Sequence, residues 1–323
     1  MALTWTASSG VLTNNKLTKV LQYQAQPLMK FRQFVWLKEA FGKNNGDTVN
    51  WDKIANVATI GGRLTETNTM FETTQTITKG TLTVNEEGNS IPFTFKLEAL
   101  SEPQATEFIR RGLMQDMAKV VDAEVATQFN ATPLRYVGTS ASGYALTTNG
   151  TATATNTSAF NTYHFKNMAD ELRNRNTPGF MKAEGDLVCI CSVKAYRGVK
   201  DSIEGLNSYT DRGITRVWAG EVGTYDGVRV VLDTWASQNT ISTTNRTATA
   251  RTWPAASLSM DAYMFGEGTV REAVAVPEEI RVKVPTDYGR SQGMAWYMLA
   301  GWQIEWSDEP NARIIKWDSA GAA

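Results

Sequence analysis

SEPQATEFIRRGLMQDMAKVVDAEVATQF, residues 101–129, decides the reading of this chain. Ala105, Ile109, Leu113, Met117, Val121, Val125 and Phe129 recur every four residues, the spacing of one face of an α-helix. Phe108 and Val120 widen the stripe, and Arg110, Arg111, Lys119 and Asp122 fall on the opposite face. Ser101 with Gln104 three residues on has the form of a capping box. Glu102 and Pro103 suit a first turn, where acid complements the helix dipole and a missing N–H costs nothing. At about 1.5 Å per residue the helix spans roughly 40 Å. A helix that long, apolar along one side, needs an extended surface to lie on.

Upstream the pattern is extended. In residues 46–100, Val49 and Trp51 alternate with polar residues after Gly46-Asp47, and Gly61-Gly62 breaks the run. TTQTITKGTLTV, residues 73–84, carries only Ile77, Leu82 and Val84 as apolar side chains, which predicts a strand exposed on both faces. Gly88-Asn89 predicts a turn, and Ile91, Phe93, Phe95 and Leu97 then alternate as in a returning strand. Such a hairpin is too poor in apolar residues to form a core of its own and needs another surface or another subunit. Residues 1–45 read as an arm. A short helix follows Thr13 and ends at Pro27, and Lys16, Lys19, Lys30, Arg32, Lys38 and Lys43 face only Glu39. A basic block of this kind is either a solvated face or an arm laid on an acidic partner or nucleic acid.

Downstream the chain reads as a β-rich body. Residues 138–159 are uncharged and loop-like. A helix is predicted over 162–175, carrying Phe165, Met168, Ala169 and Leu172 and stopped by Thr177-Pro178-Gly179. DLVCICS (186–192) is a buried-strand run, VKAYRGVKDSIEG (193–205) is helical, and GVRVVLDTW (227–235) is a strand after an Asp226-Gly227 turn. A second uncharged loop covers 236–257. In the tail, Val274, Val276, Ile280, Val282 and Val284 alternate, and Trp302, Ile304 and Trp306 share a face. Four of the ten tryptophans lie between Trp296 and Trp317, and this belt is the natural partner for the long helix.

Composition narrows the function classes. With 42% hydrophobic residues the 323-residue chain can bury a sizeable core, and a net charge of −1 advertises no polyanion partner for the chain as a whole. No apolar run reaches 18 residues, and MALTWTASSG lacks the basic and apolar regions of a secretory signal, so neither a membrane span nor export is expected. Cys189 and Cys191, two apart on one strand, are poorly placed for a disulfide and read as reduced core thiols. The Asn-x-Thr/Ser triplets at Asn149, Asn156 and Asn245 read as chance matches.

Chemistry is hard to find. His164 is the only histidine, sits in a helical pattern and has no serine or cysteine motif around it. No phosphate-binding loop, nucleophile elbow, zincin or CxxC motif occurs, and Gly266-Glu267-Gly268 reads as a turn. No catalytic, cofactor-binding or metal residue is therefore assigned, no cofactor is expected, and a binding or structural protein is favoured over an enzyme.

The order of parts resembles the major capsid proteins of tailed bacteriophages, the family with the HK97 fold. GDTVNWDKI (46–54) is similar to the entry of that family's extended E-loop, residues 102–129 to its spine helix, and EGDLVCICSVKAYRGVKDS (184–202) to the start of its A-domain. DAYMFGEGTVREAVAV (261–276) and GMAWYMLAGWQIEWSDEPNARIIKW (293–317) are similar to its return into the P-domain. The resemblance implies an α+β fold with an N-terminal arm (1–45), an E-loop hairpin (46–100), a P-domain with the spine helix (101–159), an A-domain (160–258) and P-domain C-terminal strands (259–323). It implies a major capsid protein that assembles with itself, as hexamers and pentamers, into an icosahedral shell in the host cytoplasm. Scaffolding, portal and decoration proteins and packaged DNA at the inner face would be its other partners, with no membrane. Some members form a Lys–Asn crosslink assisted by a Glu. Lys79 stands in the hairpin by location only, the other two residues have no match here, and no crosslink is expected. A tail or decoration component, and less so an enzyme, are the alternatives.

Overall fold

Thirteen strands and four α-helices, the long helix among them, are described in a computed structural model that covers residues 30–40, 46–54, 61–67, 69–70, 72–101, 105–180, 186–207, 224–233 and 261–319. The strands are β1 (Leu37–Ala40), β2 (Thr48–Ile54), β3 (Ile77–Thr83), β4 (Asn85–Thr94), β5 (Leu134–Ser140), β6 (Gly143–Thr147), β7 (Leu187–Ser192), β8 (Thr224–Tyr225), β9 (Val228–Asp233), β10 (Ala262–Phe265), β11 (Val270–Val282), β12 (Ser291–Ile304) and β13 (Ile314–Trp317). The helices are α1 (Phe95–Leu100), α2 (Ala105–Asn130), α3 (Thr162–Asn174) and α4 (Val193–Asn207). The expected α+β class is what forms.

Among the described residues three sheets form. One has the order β1-β11-β12-β4, one the order β6-β5-β13-β10-β7-β9-β8, and β2 pairs with β3 alone. The helix α2 lies on the first sheet. Ile109, Leu113, Val121 and Val125 share a buried cluster with Trp296, Met298, Ala300, Trp302 and Ile304 of β12, so the tryptophan belt is the partner of the helix. Trp296 keeps its indole N–H satisfied by donating to Asp116 Oδ2 on α2 at 3.0 Å. A second cluster packs α3 and α4 on the seven-stranded sheet through Phe165, Met168, Leu172, Ala195 and Val199. That sheet joins β5, β6, β10 and β13 to β7, β8 and β9.

Several elements follow the local signals closely. Asn161 caps α3, its side-chain oxygen accepting from His164 N at 3.1 Å, and β7 is buried at every position. At the Asp226-Gly227 turn both residues take positive φ, 52° and 66°, as a two-residue hairpin turn requires.

Others differ, each for a physical reason. Ser101 is the C-cap of α1 and the described part of α2 begins at Ala105; the expected first turn of the long helix, residues 102–104, lies outside the described residues. Phe95 and Leu97 are not in a strand, because Thr94 Oγ1 accepts from Leu97 N and starts α1 there. Gly88-Asn89 is no turn but lies inside β4, where a Cβ on Gly88 would stand 2.9 Å from the Trp296 carbonyl oxygen. The uncharged stretch 138–159 is not all loop. It contains the β5–β6 hairpin, held by Tyr144 stacked on Tyr136 at 4.7 Å. Val282 and Val284 are exposed, beyond the end of the α2 contact. Phe108 is 39% exposed and does not widen the buried stripe, whereas Asp122, expected on the polar face, is 3% exposed.

The basic segment is also different from an arm over its described part. Phe31–Phe34 forms a 3-10 turn with Phe31 fully buried, and β1 pairs in parallel with β11. Phe31 meets Phe129 of α2 at 5.3 Å and Tyr263 of β10 at 5.5 Å. Arg32 is turned inward to the carboxylates of Glu272 and Glu278. The rest of residues 1–45 lies outside the described residues.

Candidate functional site

No described side-chain group reads as a reaction centre. His164 is fully buried, with Nδ1 3.2 Å from Tyr136 Oη and Nε2 3.3 Å from Ser158 Oγ. Burial holds its pKa below the usual imidazole value, so it stays a neutral member of a polar core. Cys189 and Cys191 are free and buried on one face of β7, and contact with Cys189 together with burial pushes the Cys191 thiol up. Both are inert core residues in this setting. Asn156 is buried too, its amide donating to the Asp318 carbonyl at 3.1 Å, which rules out its sequon as a glycan site. Among the described residues no group of three or more His, Cys, Asp or Glu could hold a metal ion, and no helix is long and apolar enough to cross a membrane. Gly266-Glu267-Gly268 is the turn between β10 and β11, with Gly268 at φ +77°.

One buried acid stands out. The Asp122 carboxylate accepts the Arg32 backbone N–H at 3.2 Å and is approached by those of Phe31 and Lys30, so it caps the 3-10 turn from the side. Burial raises its pKa from 3.8 to about 7; these N–H groups pull the other way, and nearby Asp233 adds to the rise. The folded state therefore favours the protonated form. The stability this supplies is full below about pH 4 and fades as pH rises through about 7. Asp122→Asn keeps an acceptor for Arg32 but cannot ionise. Melting temperatures taken from pH 5 to 8 should fall more steeply for the wild type, leaving the variant the more stable at pH 8. Parallel profiles would contradict this origin of the shift.

The larger candidate surface is the β2–β3 hairpin. Its strands pair residue for residue from Thr48↔Thr83 to Ile54↔Ile77 and pair with no other described strand. The inward face of β2 buries Val49, Trp51 and Lys53, and Val49 and Trp51 form a small cluster with Leu82 and Ala273. The outward side of β3 is bare: Thr78, Lys79, Thr81 and Thr83 are exposed. Large apolar side chains are exposed as well, with Ile54 58%, Ile77 60%, Leu64 45% and Met70 70% accessible. Apolar groups at the end of a two-stranded element, uncovered by the described chain, mark a contact surface. The sequence pattern pointed to this hairpin but placed its return in residues 91–97; β4 instead belongs to the sheet under α2, and the free hairpin is confined to residues 46–83.

No known family profile and no curated protein sequence matches the chain. Solved structures do. The capsid of cyanophage Pam1 superposes with a TM-score of 0.71 at 13% identity, over 97% of this chain and 99% of that one. The capsid of Ralstonia phage GP4 gives 0.64 at 13% identity, over 98% of each chain. The acid-stable capsid of Helicobacter pylori bacteriophage KHP30 gives 0.67 at 12% identity, over 96% of each. The chain thus has the fold of phage capsid proteins along nearly its whole length, as the resemblance in the sequence implied.

Proposed function

We propose that this chain is the major capsid protein of a tailed phage and that many copies build the icosahedral shell around its genome. The carrying observation is the hairpin: an element with a root in its own subunit and exposed apolar groups along its shaft and tip. In this reading β2–β3 is the E-loop and lies on a neighbouring copy. The helix α2 is the spine, and with β4, β11 and β12 it makes up the P-domain. The A-domain is built on α3, α4 and β7–β9. A contact in which the hairpin of one copy covers a different surface of the next is heterologous, and it closes into rings of five or six rather than stopping at a dimer. The likeness of fold to capsid proteins of three phages agrees with this. Assembly in the host cytoplasm, and contacts with scaffold, portal, decoration proteins and DNA, belong to the same reading.

The test is limited proteolysis of dispersed subunits and of whatever they assemble into. In dispersed subunits, cleavage should concentrate in residues 55–76, and assembly should protect the same bonds. Equal cleavage in both states would place the hairpin outside the contact and overturn the reading.

A further inference from the structure

The root of the hairpin holds two reciprocal contacts between cations and aromatic rings. The body supplies Arg271 of β11, whose guanidinium lies 4.8 Å from the ring of Trp51 on β2. The hairpin supplies Lys53, whose ammonium lies 5.7 Å from the ring of Trp306 just past β12. Each receptor is braced from behind. Arg271 is bonded to Glu305 at 2.9 Å and stands 5.5 Å from the ring of Trp36, and Trp36 Nε1 donates to Glu267 Oε1 at 3.2 Å. Trp306 carries the Arg313 guanidinium at 5.2 Å. Trp51 and Lys53 are two apart on one strand, so they project from the same face and together fix a line on the body.

Among the described residues, the backbone gives the hairpin little direction. Its hydrogen-bonded ladder joins only β2 and β3, and the chain passes from β3 to β4 through the single residue Val84, whose N–H donates to the Asp47 carbonyl at 2.8 Å. The apolar contact is small, and two glycines permit it. A Cβ on Gly301 would stand 2.3 Å from the Thr83 carbonyl oxygen, and one on Gly80 the same distance from the Trp51 ring. A small apolar cluster holds the hairpin against the body without choosing its inclination, because burial has no direction. A ring over a cation does choose, since the attraction is confined to the ring face.

We infer that Arg271 and Trp306 are positioning residues that aim the hairpin, through Trp51 and Lys53, and that this aim is separable from the stability of the body. The inference concerns one subunit and does not require that subunits assemble.

The experiment uses the full chain with spin labels at Thr65→Cys on the exposed far part of the hairpin and Asn174→Cys at the end of α3. Cys189 and Cys191 are buried and should not react. Labelled subunits are diluted with unlabelled ones, so that only distances within a subunit are read. The wild-type background should give one narrow distance distribution. Arg271→Lys keeps the charge facing Glu305 but loses the planar stack, and Lys53→Met keeps the stem but loses the cation. Each should broaden the distribution, and both together more so, with the thermal midpoint of the body unchanged. Lys53→Arg should restore the narrow distribution. Narrow, wild-type distributions in Lys53→Met and in the double variant would overturn the inference and leave the aim to Val49, Leu82 and Ala273. So would broadening that tracks an equal loss of body stability. Lys53→Met, which replaces a buried charge by an apolar group, keeps the test open if Arg271→Lys folds poorly.

Discussion

Phe129→Ala should cost about 3–5 kcal/mol of folding stability, the range for removing a buried aromatic ring. Phe129 is fully buried near the end of α2 and meets three rings from two distant parts of the chain. Phe31 of the N-terminal turn lies 5.3 Å away, Phe265 of β10 4.8 Å, and Tyr263 of β10 6.4 Å, all edge to face. Removing it leaves a cavity that the other rings cannot close without moving the 3-10 turn off Asp122. The loss is a large part of the roughly 5–15 kcal/mol that holds an ordinary domain together. Denaturant unfolding measures it, and the slope should be unchanged. A loss under about 1 kcal/mol would mean that the site collapses freely, and that the aromatic cluster is not the joint between the N-terminal segment and the body.

The second large effect is on association, with little effect on folding. Ile54 and Ile77 stand directly opposite each other, so residues 55–76 can be replaced by Asn-Gly, the pair suited to a two-residue hairpin turn. The root, with Val49, Trp51, Leu82 and the Arg271 contact, is kept. The shortened chain should melt close to the wild type, because the excised described residues are exposed and add nothing to the two main cores. It should fail to form large assemblies under conditions in which the wild type forms them, as read by light scattering. Normal assemblies from the shortened chain would remove the hairpin from the account of association.

Much of this architecture was legible because it is written in local periodicity. The four-residue stripe from Ala105 to Phe129 found the long helix, and the seven apolar-rich residues of DLVCICS found a strand buried on both faces. Thr177-Pro178-Gly179 marked the end of α3, and Asp226-Gly227 the start of β9, through backbone chemistry alone. What stayed hidden depends on partners far along the chain. Asp122 fits a polar face by spacing, and is buried because it caps backbone N–H groups 90 residues away. Phe31 looks like one aromatic in a basic arm until Phe129 and Tyr263 close over it. Tyr144 sits in a Thr- and Ala-rich stretch with no alternation to betray a strand, and the stacking on Tyr136 that holds it is invisible to pattern. The hairpin was legible as an element without a core. Its root was not, because a cation over an indole leaves no periodic trace: Arg271 and Trp51 are remote in sequence and of unlike type.

The central claim is that copies of this chain build a closed shell, and electron microscopy of the purified full chain tests it most directly, with a scaffold co-expressed if the chain alone is insoluble. The account predicts rings of five and six subunits, or closed icosahedral particles whose capsomers place each hairpin on the neighbouring subunit. A monodisperse monomer at high concentration, with residues 46–100 resistant to protease, would contradict it, since the hairpin would then have its partner within its own chain. Tubes or flat arrays would contradict the shell as well and would point to a tail or surface-layer role.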